Sequence, residues 1–219
     1  MDDRALAART WDDVATLLDS LDEVDLVRPT RCAGWTVLDV AVHLLLDAQR
    51  CLIACATPTS APADVDATTY WSDWAQDADP LSQARGFRFL RITASAYRAP
   101  ESLLAHWSDV VPAAARALAA RDPADRVETQ GHVIAVGDLA RTLVLEAAVH
   151  HLDCLLDQPD APRPSAAALQ VVTETYEGLT GVEIPPTEQW ALKGAGRIPL
   201  TDRDRVLLGS AARRFPLLG

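Results

Sequence analysis

"LARTLVLEAAVHHLDCLLD", residues 139–157, is the stretch whose reading decides the fold. It is strongly apolar, free of Gly and Pro, and long enough for five helical turns. Asp138 precedes it as the expected N-cap. With Glu146 at zero on a helical wheel of about 100° per residue, His150 falls at about +40°, Asp153 at about -20° and Asp157 at about +20°. His151 falls at about +140°, on another face. One stripe of acid and histidine therefore runs along a helix that is otherwise made for a protein interior.

A second stretch behaves in the same way. "TVLDVAVHLLLDAQRCLIAC", residues 36–55, has Thr36 and Asp39 spaced for a capping box. Its His43 and Asp47 lie about 40° apart on one face. Burying such groups unpaired costs several kcal/mol each, roughly, so they must neutralise, pair or bind a cation. Glu146 and His150 on adjacent turns, with His43 from a facing helix, make an N, N, O set with open positions, the pattern of a catalytic divalent-metal site and most often zinc. Asp153 or Asp47 is expected to orient an imidazole from behind. Spacing alone leaves a buried ion pair without metal as an equal alternative. His106 and His132 have no acidic partner at helical spacing and read as structural or exposed.

Working outward, Leu6, Val14, Leu17, Leu18 and Leu21 recur at helical spacing and predict a first helix over about 6–24. Pro29 and Gly34 break it. Residues 57–80 are polar and proline-bearing, with Tyr70, Trp71 and Trp74, and read as a functional loop. Two helical segments follow, 81–98 and 101–121, divided by Pro100. "RVETQGHVIAVGD", residues 126–138, reads as irregular or briefly extended. Pro159, Pro162 and Pro164 form a linker to a helix over 165–180. Two short strands around Gly194 and Gly196 and a last helix capped by Thr201 and Asp204 complete the chain. The fold class is thus all-α: an up-and-down four-helix bundle over 1–158 and a small C-terminal α+β extension over 165–219, helix, hairpin, helix.

The 219 residues carry a net charge of -11, which repels phosphate backbones and anionic lipids, so neither nucleic acid nor a membrane is an expected partner. No basic region precedes an apolar run at the start of the chain, and a cytoplasmic protein is expected, monomer or homodimer. Cys32, Cys51, Cys55 and Cys154 show no CxxC spacing and read as small buried hydrophobes.

At the two histidine blocks the sequence resembles the DinB-like metalloenzymes, in particular the mycothiol-dependent maleylpyruvate isomerase family. "TRCAGWTVLDVAVHLL" is similar to the family's Gly-Trp-Thr-Val opening of helix 2, with its metal-binding histidine at His43. "LARTLVLEAAVHHLDCLLD" is similar to its Glu-x-x-x-His-x-x-Asp segment, at Glu146, His150 and Asp153. The resemblance spans about residues 5–157. Leu38 stands where the family often has Arg, and His151 where Gly is frequent. The resemblance implies a four-helix bundle holding a divalent metal, usually zinc, on His, Glu and His, with a low-molecular-weight thiol, mycothiol, as cosubstrate. It also implies S-transfer to, or cis/trans isomerisation of, an electrophilic small molecule.

Metal-bound water acting as the nucleophile of a hydrolase, or a metal-stabilised binding bundle, are the competing expectations. Arg197, in "GAGRIPL", is the candidate to reach a carboxylate of substrate or thiol. Trp35 reads as a staple or core anchor at the helix start. Trp71 and Trp74 are candidates for the pocket mouth.

Overall fold

The computed structural model describes residues 2–72, 80–156 and 160–218. Helix α1 (Asp3–Asp19) starts where the Asp2 carboxylate accepts the Arg4 N–H, and it turns Leu6, Trp11, Val14, Leu17 and Leu18 inward. Leu17 is fully buried. Truncating it to Ala would cost about 2–5 kcal/mol. A one-turn helix α2 (Glu23–Leu26) follows, closed by its own Asp22–Asp25 capping box. Helix α3 (Val37–Ala56) opens as its sequence predicts, the Thr36 hydroxyl accepting the Asp39 N–H at 3.3 Å and Asp39 Oδ2 accepting the Thr36 N–H at 2.8 Å.

Beyond it come α4 (Pro80–Ser95), α5 (Pro100–Ala119), the antiparallel strands β1 (Arg126–Thr129) and β2 (His132–Ala135), and α6 (Val136–Cys154). The C-terminal part is helical: α7 (Ala166–Thr180), α8 (Glu188–Gly194) and α9 (Asp202–Leu208). Helix α1 packs against α5 and α6, and α3 packs against the same two, which closes a four-helix bundle. This is the expected all-α architecture. Helices α7 and α8 then cover the outer side of α6. Being enclosed from both sides, α6 buries residues around nearly its whole circumference, which is why His150 and His151 are both buried although they face different ways. The hydrophobic core is continuous from Leu6 on α1 to Leu217 beyond α9.

Two local expectations are corrected and a third is made definite. The strands expected around Gly194 and Gly196 are absent; the segment is α8 and its exit turn. Gly194 serves packing, since a Cβ there would lie 2.1 Å from the Tyr176 ring, and Gly196, at φ +73°, turns the chain after the helix. The hairpin lies instead at 126–135, in the stretch read as irregular or briefly extended, and turns through Gln130 (φ 49°) and Gly131 (φ 85°). Helix α6 starts at Val136 with Ala135 at the N-cap, so Asp138 sits in the first turn and favours the positive helix end rather than capping it.

In the tail, Lys193 is buried. Its ammonium lies 2.7 Å from Asp204 Oδ2 and 4.7 Å from the centre of the Trp190 ring. No helix among the described residues is long and apolar enough to cross a membrane.

Candidate metal centre

The seam between α3 and α6 brings the two predicted stripes face to face. Glu146 Oε2 lies 3.4 Å from His43 Nε2 and 3.2 Å from His150 Nε2. The two imidazoles meet edge-on, centroids 4.8 Å apart at 79°. A tetrahedral ion with arms of roughly 2.1 Å has ligand atoms about 3.4 Å apart, so these spacings fit one shared cation. A second observation agrees. Asp47 Oδ2 is buried without a hydrogen bond, out of line with the His43 Nε2 it faces at 3.3 Å. An orphaned carboxylate oxygen beside two ring nitrogens is a costly arrangement that a cation or its bound ligand relieves.

The geometry behind His150 selects its free nitrogen. Nδ1 donates to Asp153 Oδ2 at 3.0 Å, which leaves Nε2 pointing at Glu146. Asp153 is fully buried and is itself gripped by Arg197, whose Nε donates to Oδ1 at 3.0 Å and Oδ2 at 3.2 Å. The Arg197 guanidinium also donates to Cys32 Sγ at 2.9 Å and to the Ala195 carbonyl at 2.9 Å. Cys32, His150 and Asp153 form a second group of ligand-type atoms on the far side of the same imidazole. The fixed charge of Arg197 against both Sγ and Asp153 repels a cation there. His43, Glu146 and His150 are the better cage.

Electrostatics follow from this packing. Burial alone would raise the Glu146 pKa, yet hydrogen bonds from His150 and His43 hold it well below the usual carboxylate range. Burial disfavours a charged His150, but its bonds to Asp153, Cys32 and Glu146 raise its pKa well above the ordinary value. Without metal the pair is an ion pair. Burial dominates at Asp47 and raises its pKa in spite of His43. His151, on the other side of the helix, donates Nε2–H to the Pro162 carbonyl at 2.9 Å and is kept neutral by burial.

Beside His43 and Glu146 is a cavity of about 30 Å³, room for one water-sized group. Its walls include Asp47, Tyr70, Trp71, Gln130, Thr142 and Leu143. Burial pushes the Tyr70 hydroxyl up to about 12, so it stays protonated at neutral pH. Trp35, half-buried, stacks on His150 (centroids 6.0 Å, 8°) and meets His43 edge-on at 5.4 Å.

The structure therefore brings His43, Glu146 and His150 together and sets Asp153 against His150 Nδ1. Asp47 is not behind an imidazole; it shares the cavity with the ligand-type atoms. Arg197 does not point at a substrate space: its guanidinium is spent on Asp153, Cys32 and the Ala195 carbonyl. Trp71 lines the cavity, whereas Trp74 and Asp157 lie outside the described residues. Sequence reasoning missed Cys32 and Gln130 and gave Trp35 only an anchoring role. Cys32 had a signal in its place three residues before Trp35; Gln130 had none. His106 is structural as expected, held by Tyr97 Oη at 2.6 Å and Gln49 at 3.3 Å.

An up-and-down helical bundle with an imidazole, carboxylate, imidazole set between two of its helices defines the class of protein. The chain belongs to the family described as mycothiol maleylpyruvate isomerase N-terminal domain, whose model matches residues 7–154. That span runs from α1 to the last residue of α6 and leaves α7–α9 outside the match. No curated protein and no solved structure matches the chain.

Proposed function

We propose that this is a metal- and thiol-dependent enzyme, with mycothiol as cosubstrate, that acts on an electrophilic small molecule by S-transfer or cis/trans isomerisation. The observation that carries the reading is that Glu146 Oε2 lies 3.4 Å from His43 Nε2 and 3.2 Å from His150 Nε2, beside an unsatisfied Asp47 oxygen. A divalent cation held there, most often zinc, would stabilise the thiolate of the cosubstrate. Asp153 keeps the His150 proton on Nδ1, so that Nε2 stays available as a ligand. Asp47 Oδ2, whose pKa burial has raised, accepts the proton that the thiol loses. Leu139, Leu143 and Trp71 give the small cavity an apolar wall. Addition to a conjugated bond, rotation and elimination gives isomerisation; departure of a leaving group gives a thioether.

Elemental analysis of the purified protein and titration of the metal-loaded form with mycothiol test the proposal. Stoichiometric metal and saturable thiol binding are expected, and Glu146→Ala should abolish turnover while the far-UV spectrum is retained. Absence of thiol binding at millimolar concentration refutes the thiol step. Turnover without any thiol would assign the site to metal-water hydrolysis instead.

A further inference from the structure

The metal cavity admits one water-sized group, so the sulfur of a thiol fits it and the rest of that molecule must lie elsewhere. The adjoining space is a groove of about 670 Å³ beside the β1–β2 turn. Arg50 and Ile53 on α3, with Thr57 just past its end, form one wall, and residues 128–133 of the hairpin form the other. Arg50, Thr129 and Gln130 line both spaces. They are the partition between groove and metal cavity.

Two polar contacts set that partition. Arg50 donates to Asp47 Oδ1 at 3.1 Å, and Gln130 Nε2 donates to Tyr70 Oη at 2.6 Å. Gln130 holds this position with φ 49° in a two-residue turn, where Asn or Gly is the easier residue. A side chain with a reach longer than asparagine's is thus kept in an unfavourable backbone conformation at a position that borders both spaces.

We propose that this groove binds the uncharged, hydroxyl-rich body of the thiol cosubstrate, the thiol arm passing between Arg50 and Gln130 to the metal cavity. The inference rests on the thiol reading above for the identity of the arm, while the groove's own chemistry argues the body. Arg50 is already paired with Asp47 and Glu128 is anionic, so the walls carry no excess of positive charge and give no preference for an anionic ligand. Guanidinium, carboxylate, amide and imidazole groups supply both donors and acceptors, as vicinal hydroxyls require. Exposed Ile53 offers an apolar patch for a ring face.

Calorimetric titration of S-methyl mycothiol, whose sulfur is blocked, into wild-type and Ile53→Trp protein tests the groove apart from the metal. Ile53 is exposed, so the substitution fills the groove without entering the core. Binding to wild type and a weakening of at least roughly tenfold in the variant are expected, the loss of two or three neutral hydrogen bonds. On the cobalt-loaded proteins, the thiolate-to-cobalt absorption band given by N-acetylcysteine should form equally in both. Glu128→Gln, a second exposed change, should weaken S-methyl mycothiol and leave the N-acetylcysteine band unchanged. The groove proposal is overturned if S-methyl mycothiol does not bind wild type, binds Ile53→Trp equally well, or if both probes weaken together. Groove binding with no cobalt–thiolate band from either thiol would instead overturn the thiol chemistry and leave the groove standing.

Discussion

Asp153→Asn isolates the one carboxylate that serves both the ligand cage and the tail. Asp153 is fully buried, takes the His150 Nδ1 proton at 3.0 Å and neutralises Arg197 at 3.0 Å. An amide has one acceptor oxygen for these two donors, so His150 loses its fixed tautomer or Arg197 loses its counter-charge. Loss of such an orienting partner weakens metal binding about 10–100-fold, roughly 1.4–2.7 kcal/mol. Separately, an uncompensated guanidinium would destabilise the fold by about 3 kcal/mol if wholly buried, and by less here because the Ala195 carbonyl still accepts from it at 2.9 Å. Competition with a chromogenic chelator reads the first effect and urea unfolding of the metal-free protein reads the second. Adding Arg197→Met to Asp153→Asn should recover most of the stability and little of the affinity. Wild-type metal affinity in Asp153→Asn would refute the orienting role, and recovery of affinity in the double variant would show that only charge balance mattered.

Metal binding should weaken as pH falls, because a proton on His150 must leave before Nε2 can ligate, and its pKa is raised in the metal-free fold. The same raised pKa stabilises the metal-free protein fully below the unfolded value of about 6.5, a contribution lost as pH rises through the folded value, so the gap in Tm between loaded and metal-free protein should widen with pH in a calorimetric series. Gly194→Ala would set a Cβ 2.1 Å from the buried Tyr176 ring and should destabilise by about 1–3 kcal/mol, read by urea midpoint; an unchanged midpoint would mean that α8 can shift away from α7. The bond from Lys193 holds the Asp204 pKa down to about 2 against its partial burial, so this pair's contribution is present above about 3.9 and fades as pH drops through about 2. Asp204→Asn should remove that part of the acid unfolding profile and cost about 2–3 kcal/mol at neutral pH, since it also strips the Thr201 capping box of its charge.

Periodicity recovered the bundle because α1, α3 and α5 each bury a regular apolar face and α6 is apolar nearly all round, and the capping pairs Thr36–Asp39 and Thr201–Asp204 marked true helix starts. The ligand-type trio was legible for the same reason: charged groups on an apolar helix face stand out. The tail was misread because glycine has two uses. Gly194 is required by a side chain from another helix, which no local pattern reveals, whereas Gly131 completes a turn whose first residue, Gln130, lacks the usual signature. The role of Arg197 depended on where a tail more than 40 residues downstream of Asp153 docks. Long-range placement of this kind is set by the shape of the whole core.

The chain has a single lysine, and that lysine is the one enclosed by Asp204 and the indole of Trp190. Activated esters meet no exposed ε-amine on the native surface of these residues, so coupling of a dye, a biotin or a solid support is directed away from lysine. Acylation of Lys193 then requires the tail to come away from its seat, and its slow rate clocks those excursions.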